Sequence, residues 1–76
     1  MAPHSELDPK RDEVERLLRQ AHIEKMRGQS EQARATLQQA LELMPDAPDV
    51  WELLGDYRRE VGDWKGAHEA YQKAHE

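Results

Sequence analysis

The chain of 76 residues contains no cysteine, no asparagine and no phenylalanine, and it has only four glycines and four prolines. Without cysteine it cannot form a disulfide bond, a thiolate metal site or a catalytic thiol. No apolar run approaches the roughly 18 residues that a transmembrane helix needs. The first six residues have neither the basic flank nor the apolar core of a signal peptide, so a cytoplasmic location is expected.

The charge of the chain is unevenly distributed. Residues 1–38 carry seven basic and seven acidic side chains, whereas residues 39–76 carry four basic and nine acidic ones, so the whole net charge of −5 lies in the second half. Nucleic acid is therefore not expected as a partner, because neutralising phosphates requires a basic surface. An acidic second half tolerates a basic peptide better than an acidic one, although a solvated surface without a partner has the same composition.

Four segments have apolar residues at the i, i+3, i+4 spacing of an amphipathic helix, and no segment alternates with a period of two. We therefore predict an all-α fold of four helices over residues 9–76, preceded by a flexible tail over residues 1–8. The apolar stripes of the four helices are, in order, Val14, Leu17, Leu18 and Ala21; Ala33, Leu37, Ala40, Leu41 and Met44; Val50, Trp51, Leu54 and Tyr57; and Ala67, Ala70, Tyr71 and Ala74.

Residues that favour helix ends punctuate these stripes. Asp8, Ser30 and Asp63 are expected to cap the first, second and fourth helices with side-chain oxygens. Gly28 and Gly62 are expected to end the first and third helices, because glycine readily adopts the left-handed backbone conformation found there. The sequence thus predicts two helical hairpins, with residues 14–47 forming one repeat and residues 48–76 the next.

Shifting the sequence by 34 residues superimposes these features: Gly28 falls on Gly62, Ala33 on Ala67, and Leu17 on the tryptophan of the second copy. Self-similarity at a fixed period indicates a repeat architecture. The small residues have a steric role, because two antiparallel helices approach closely only where one of them offers Ala or Gly.

The second copy, with its Trp51-Glu52-Leu53-Leu54-Gly55 stretch, closely resembles a tetratricopeptide repeat (TPR), and the first copy resembles it less closely. Two positions depart from the family pattern: Gln20 stands where it prefers Leu, and Arg58 where it prefers Tyr. The residues that carry the resemblance are Leu17, Ala21, Gly28, Ala33, Leu37, Ala40, Pro45, Trp51, Leu54, Gly55, Gly62, Ala67, Tyr71 and Ala74.

The resemblance implies a short right-handed α-solenoid that binds other proteins. In this family the first helices of successive repeats line a concave groove that accepts a peptide or a helix. One hypothesis is that the acidic side chains of the third helix recognise a basic partner by charge complementarity. The other is that these side chains form an ordinary solvated helix face. The corresponding groove positions in this sequence are Glu15, Leu18, His22, Lys25, Met26, Asp49, Glu52, Asp56, Arg59 and Glu60.

Two further expectations concern what the repeats bind. Some family members hold a terminal carboxylate with Lys and Asn side chains, but this chain has no Asn, so no such clamp is predicted. Since about three repeats are usually needed to bury each repeat face, a structural homo-oligomer, such as a symmetric homodimer, is the alternative to an adaptor. His68 and His75 occupy outer positions of the fourth helix, where polar residues suit a solvent-facing end.

No enzyme, cofactor or metal site is predicted. His68 and His75 lie two turns apart, roughly 10 Å along a helix, which is too far for one metal ion. The carboxylates show no sign of a desolvated pair suited to acid–base catalysis. Ser5 and Ser30 have no nucleophile context, and no glycine-rich loop follows a strand. The four aromatic residues, Trp51, Tyr57, Trp64 and Tyr71, are expected to pack in the core.

Overall fold

A computed structural model describes residues 8–76, and these residues form four α-helices without a β-strand. The helices are α1 (Pro9–Met26), α2 (Ser30–Leu43), α3 (Pro48–Glu60) and α4 (Trp64–Ala74). The all-α, four-helix prediction is therefore confirmed. The predicted tail falls on residues that lie outside the described part of the chain, apart from Asp8.

The turns between α1 and α2 and between α3 and α4 have the same backbone structure. Gly28 and Gly62 have φ angles of 77° and 84°, in the left-handed region. In the first turn Gly28 N–H donates to Lys25 C=O and Gln29 N–H to Glu24 C=O, at 3.1 and 2.8 Å, and the second turn repeats both bonds. This pair of hydrogen bonds is the Schellman motif, which satisfies carbonyls at a helix end and reverses the chain.

Two of the three predicted caps are present. The Asp8 carboxylate accepts a hydrogen bond from Arg11 N–H at 3.1 Å, and the Asp63 carboxylate accepts one from Gly66 N–H at 2.9 Å. The prediction for Ser30 was wrong, because Ser30 is already the first residue of α2 and Gln29 is the cap, without a side-chain hydrogen bond. The 34-residue repeat aligns Gln29 with Asp63, and both residues directly follow the glycine of their turn. The turn itself therefore fixes which residue is the cap.

The helices pair as two hairpins, and α3 joins the hairpins by packing against both α1 and α2. Within the described residues α4 contacts only α3, so its other side faces solvent. The core contains one or more residues from each predicted stripe of α1 to α3, and Leu18, Leu41, Met44, Trp51 and Leu53 pack around it half-buried. The core cluster comprises Val14, Leu17, Ala21, Leu37, Ala40, Ala47, Val50, Leu54 and Tyr57.

The aromatic residues divide between the core and the surface. Tyr57 is buried, while Trp51 is half-buried and its indole N–H donates to the Pro45 C=O at 2.7 Å. Trp64 was expected to pack in the core, but 67% of its surface is exposed. It is the first residue of α4, directly after the turn at Gly62, and residues 61–65 are all exposed, so the end of the hairpin leaves its ring uncovered.

Helices α3 and α4 approach each other closely at Gly55. A Cβ atom added at this position would lie 2.6 and 2.7 Å from two ring carbons of Tyr71. Real Cβ atoms do not come so close to a carbon atom, so the absence of a side chain at Gly55 is what lets the ring of Tyr71 lie against α3.

Replacing Gly55 with Ala is expected to lower the free energy of unfolding by about 1–3 kcal/mol, because the added methyl overpacks the Tyr71 ring. In a helix interior without such a contact the same change would raise it by up to about 1 kcal/mol. Chemical denaturation of the wild type and of Gly55→Ala measures the sign of the change in the free energy of unfolding. In a Tyr71→Leu background the Gly55→Ala change should become neutral or stabilising, and an unchanged penalty there would contradict the steric explanation.

Candidate functional site

Two ion pairs show that α1 and α3 run parallel and side by side. Near the start of both helices, an Arg11 Nη2 donates to Asp49 Oδ2 at 2.5 Å. Near the end of both helices, Lys25 Nζ lies 2.9 Å from Glu60 Oε2. One pair joins the N-terminal ends of the two helices and the other joins their C-terminal ends. The first helices of the two hairpins, α1 and α3, therefore present a common surface between these two ion pairs.

An open groove of about 500 Å³ lies on this surface. Leu18 and Leu53 are half-buried and pack against the core from opposite sides, so they form an apolar floor. Ile23 extends the floor and is 49% exposed. Each of the two helices supplies four side chains to the groove, which are Leu18, Arg19, His22 and Ile23 from α1 and Asp49, Glu52, Leu53 and Asp56 from α3.

Half of the predicted groove positions line this groove: Leu18, His22, Asp49, Glu52 and Asp56. The other half lie around it. Lys25 and Glu60 form the ion pair at one end, and Met26 beside them is 74% exposed. Glu15 pairs with Arg11 at 3.3 Å, and Arg59 lies 3.6 Å from Asp56.

The ten predicted positions did not include Leu53 of α3, nor Arg19 and Ile23 of α1, which the structure places in the groove. The groove side of α1 is rotated towards these two residues from the side that the family positions indicated. A signal was present in the sequence, because Ile23 is a large apolar residue outside the core stripe of α1. Leu53 stands outside the stripe of α3 in the same way. Apolar residues beside a core stripe are candidates for a binding surface.

The Arg11–Asp49 pair has a clear electrostatic effect. Partial burial alone would raise the pKa of Asp49, but the hydrogen bonds and positive charge of Arg11, with the Val50 N–H at 3.0 Å, outweigh burial and lower it. The same hydrogen bonds raise the pKa of Arg11. Asp49 also lies in the first turn of α3, where the helix dipole favours a negative charge.

A second cluster fixes the middle of α3 to α4. The Tyr71 hydroxyl donates a hydrogen bond to Asp56 Oδ1, and Arg59 Nη2 lies 3.6 Å from the same oxygen. This hydrogen bond, together with burial and the negative charge of Asp56, raises the pKa of Tyr71. Asp56 therefore reaches the groove with its carboxylate already engaged by two partners from the protein.

Other kinds of site are not found in the described part of the chain. No group of three or more His, Asp or Glu side chains within residues 8–76 could hold a metal ion. His68 on α4 and His75, which follows its last residue, are both exposed. Over the same residues, each helix is too short or too polar to span a membrane.

A comparison with known proteins finds two that contain a segment of similar sequence. The chain is 35% identical over 63 residues to cellulose synthase operon protein C of Komagataeibacter xylinus, a match that covers 83% of this chain and 5% of that protein. It is 43% identical over 51 residues to the protein of the same name from Komagataeibacter sucrofermentans, covering 67% of this chain and 4% of that protein. No protein-family model and no solved structure matches the chain.

The matched segments are short parts of much longer proteins, since the chain spans about one twentieth of the length of these relatives. The first match covers most of the chain, so the similarity extends beyond the first helical hairpin. The chain is thus similar to a part of cellulose synthase operon protein C, and it folds as two consecutive helical hairpins that share a core.

Replacing Asp49 with Asn is expected to lower the melting temperature at pH 7 by removing the charge that pairs with Arg11. Because the folded-state pKa of Asp49 is lowered, its contribution is fully present above the unfolded pKa of about 3.9 and is lost as the pH falls through the folded pKa. The difference in melting temperature between wild type and Asp49→Asn should therefore shrink below about pH 4.

Thermal unfolding followed by circular dichroism between neutral and acidic pH tests this expectation. Glu69→Gln is the matched control, because Glu69 is exposed on α4 and its replacement removes the same charge. A difference for Asp49→Asn that stays constant down to pH 2.5 would show that the Arg11–Asp49 pair does not stabilise the docking of α3 on α1.

Proposed function

We propose that this chain is a TPR-type interaction module that binds a peptide or a short helix of a partner protein between α1 and α3. The observation that carries the proposal is the open groove of about 500 Å³ with an apolar floor between two parallel helices. Grooves of this kind accept amphipathic segments through apolar anchors one helical turn apart. Leu18, Ile23 and Leu53 are the residues that would receive such anchors.

Membership of the TPR family is part of this proposal. It is supported by the 34-residue period, by the identical Schellman turns at Gly28 and Gly62, and by the packing of α3 on both helices of the preceding hairpin. The similarity to a short part of cellulose synthase operon protein C supports a role as one unit within a longer array, because the match covers 83% of this chain and 5% of that protein.

We also propose that the chain binds and does not catalyse. The groove carboxylates support this, because Asp49 and Asp56 are engaged by Arg11, Arg59 and the Tyr71 hydroxyl and are not held in a desolvated pair. General acid–base catalysis needs a group with a pKa tuned for proton transfer beside a reacting atom. A cytoplasmic location stays a prediction from the sequence.

A selection from a displayed peptide library tests the binding site. We expect peptides selected on the wild-type protein to compete with one another and to lose at least tenfold in affinity on Leu53→Glu, which puts a charge into the apolar floor. Gln39→Glu is the control, because Gln39 is an exposed residue of α2. Binding that is unaffected by Leu53→Glu, or that is reduced equally by Gln39→Glu, would exclude the groove as the site.

A structural homo-oligomer is the second candidate, and a specific observation favours it. Among residues 8–76, the exposed large apolar residues are Ile23, Met26, Val61 and Trp64. Ile23 and Met26 lie near the end of α1, Val61 directly follows α3, and Trp64 begins α4. The Lys25–Glu60 ion pair brings the ends of α1 and α3 together at one end of the molecule. A cluster of exposed apolar side chains is typical of an interaction surface.

Light scattering over a concentration series separates the two candidates. If the chain self-associates through this end, the molar mass should rise with concentration in the wild type and stay that of a monomer in Trp64→Gln. The matched control is Trp51→Gln, since Trp51 lies half-buried against the core and away from the exposed cluster. A monomer at all concentrations would leave only the adaptor.

A further inference from the structure

The two walls of the groove carry opposite charges that form no ion pair within the described part of the chain. On the α1 wall, Arg19 is exposed and forms no ion pair with another residue of 8–76. On the α3 wall, Glu52 is likewise exposed and forms no ion pair over the same residues. His22 stands one turn from Arg19 and adds a polar ring to the α1 wall.

The other acids of the α3 wall are not equivalent to Glu52. Asp49 is bound by Arg11, and Asp56 is bound by Arg59 and the Tyr71 hydroxyl. Glu52 lies between these two on the same face of α3, one turn from each. A ligand that contacted the acidic wall would therefore meet one carboxylate, that of Glu52, with no partner among residues 8–76, and the guanidinium of Arg19, equally unpaired over these residues, lies on the other wall.

The surface on which the groove lies limits the length of helix that can bind there. From Asp49 to Glu60, the ends marked by the two ion pairs, α3 rises about 16 Å, which is about three helical turns. A helix of three turns presents an apolar ridge to the floor and one polar flank to each wall. An extended segment points alternate side chains away from the floor, and the described helices offer it no sheet edge.

We propose that the groove selects an amphipathic helix of about three turns whose acidic flank faces Arg19 and whose basic flank faces Glu52, and that this division of charge fixes the direction in which the helix lies. This proposal rests on the proposed function. Turning a bound helix end for end, with its apolar ridge still on the floor, exchanges its two flanks. A helix with opposite charges on its flanks consequently satisfies both walls in one direction and neither wall in the other.

Synthetic peptides provide the probes. One 14-residue helical peptide has a leucine ridge, glutamates along one flank and arginines along the other, and two further peptides have the same ridge with arginines or glutamates on both flanks. Affinities are measured by fluorescence anisotropy. A nitroxide at the peptide N-terminus reports direction, because it broadens the amide signals either near Arg11 and Asp49 or near Lys25 and Glu60.

We expect the mixed peptide to bind the wild type in one direction. Arg19→Glu and Glu52→Lys should each weaken it by about two- to fivefold, the size of an exposed ion pair. The double variant Arg19→Glu/Glu52→Lys should restore the affinity and reverse the direction. Lys65→Glu and Glu69→Lys are the controls, because they make the same charge changes at exposed positions of α4 and should leave both affinity and direction unchanged.

The possible results separate this proposal from the function on which it rests. Suppose that the mixed peptide binds the wild type and that Leu53→Glu abolishes this binding. If the peptide then binds the double variant in the original direction, the charge division does not orient the ligand and the proposal fails. If the peptide with arginines on both flanks binds the wild type most tightly and Arg19→Glu leaves it unaffected, the groove reads only basic charge and the proposal fails as well. If none of the three peptides binds, the proposed function fails with it.

Discussion

The packing of α3 against both helices of the first hairpin is the interaction on which the rest of the structure depends. Val50, Leu54 and Tyr57 of α3 are buried in the same core cluster as Leu17 and Leu37. This docking joins two hairpins, neither of which could bury its apolar face alone, into a single unit. It also brings α3 beside α1 and in the same direction, and the groove exists only because these two helices are parallel neighbours.

Polar contacts then fix how α1 and α3 meet. Burial of apolar side chains brings α1 and α3 into contact, but apolar contacts are not directional and do not by themselves fix the position of one helix along the other. The Arg11–Asp49 and Lys25–Glu60 pairs hold the starts and ends in register, and the hydrogen bond between Trp51 and the Pro45 carbonyl holds the connection that leads into α3. Exposed ion pairs add little to stability, yet charge pairs of this kind can set alignment.

The same side chains limit what the groove can recognise. Most of the acidic charge on α3 serves the protein's own structure, because Asp49 binds Arg11, Asp56 binds Tyr71 and Arg59, and Glu60 binds Lys25. A count of acidic residues on this helix therefore overstates the charge offered to a partner. What is left, Glu52 opposite Arg19 over Leu18 and Leu53, is more specific than a uniformly acidic surface would be.

The sequence by itself determined the four helices, their turns and most of the core, because helix periodicity, capping residues and left-handed glycines act over a few neighbouring residues. The 34-residue period also indicated the correct capping position of α2, because it aligns Gln29 with the capping residue Asp63, whereas Ser30 had been predicted. Only the tertiary structure decided that Trp64 is exposed, that the groove turns towards Arg19 and Ile23, and which charges are already paired. These features depend on the rotation of one helix against another, and that rotation is set by side chains far apart in the sequence, such as Gly55 and Tyr71 or Arg11 and Asp49.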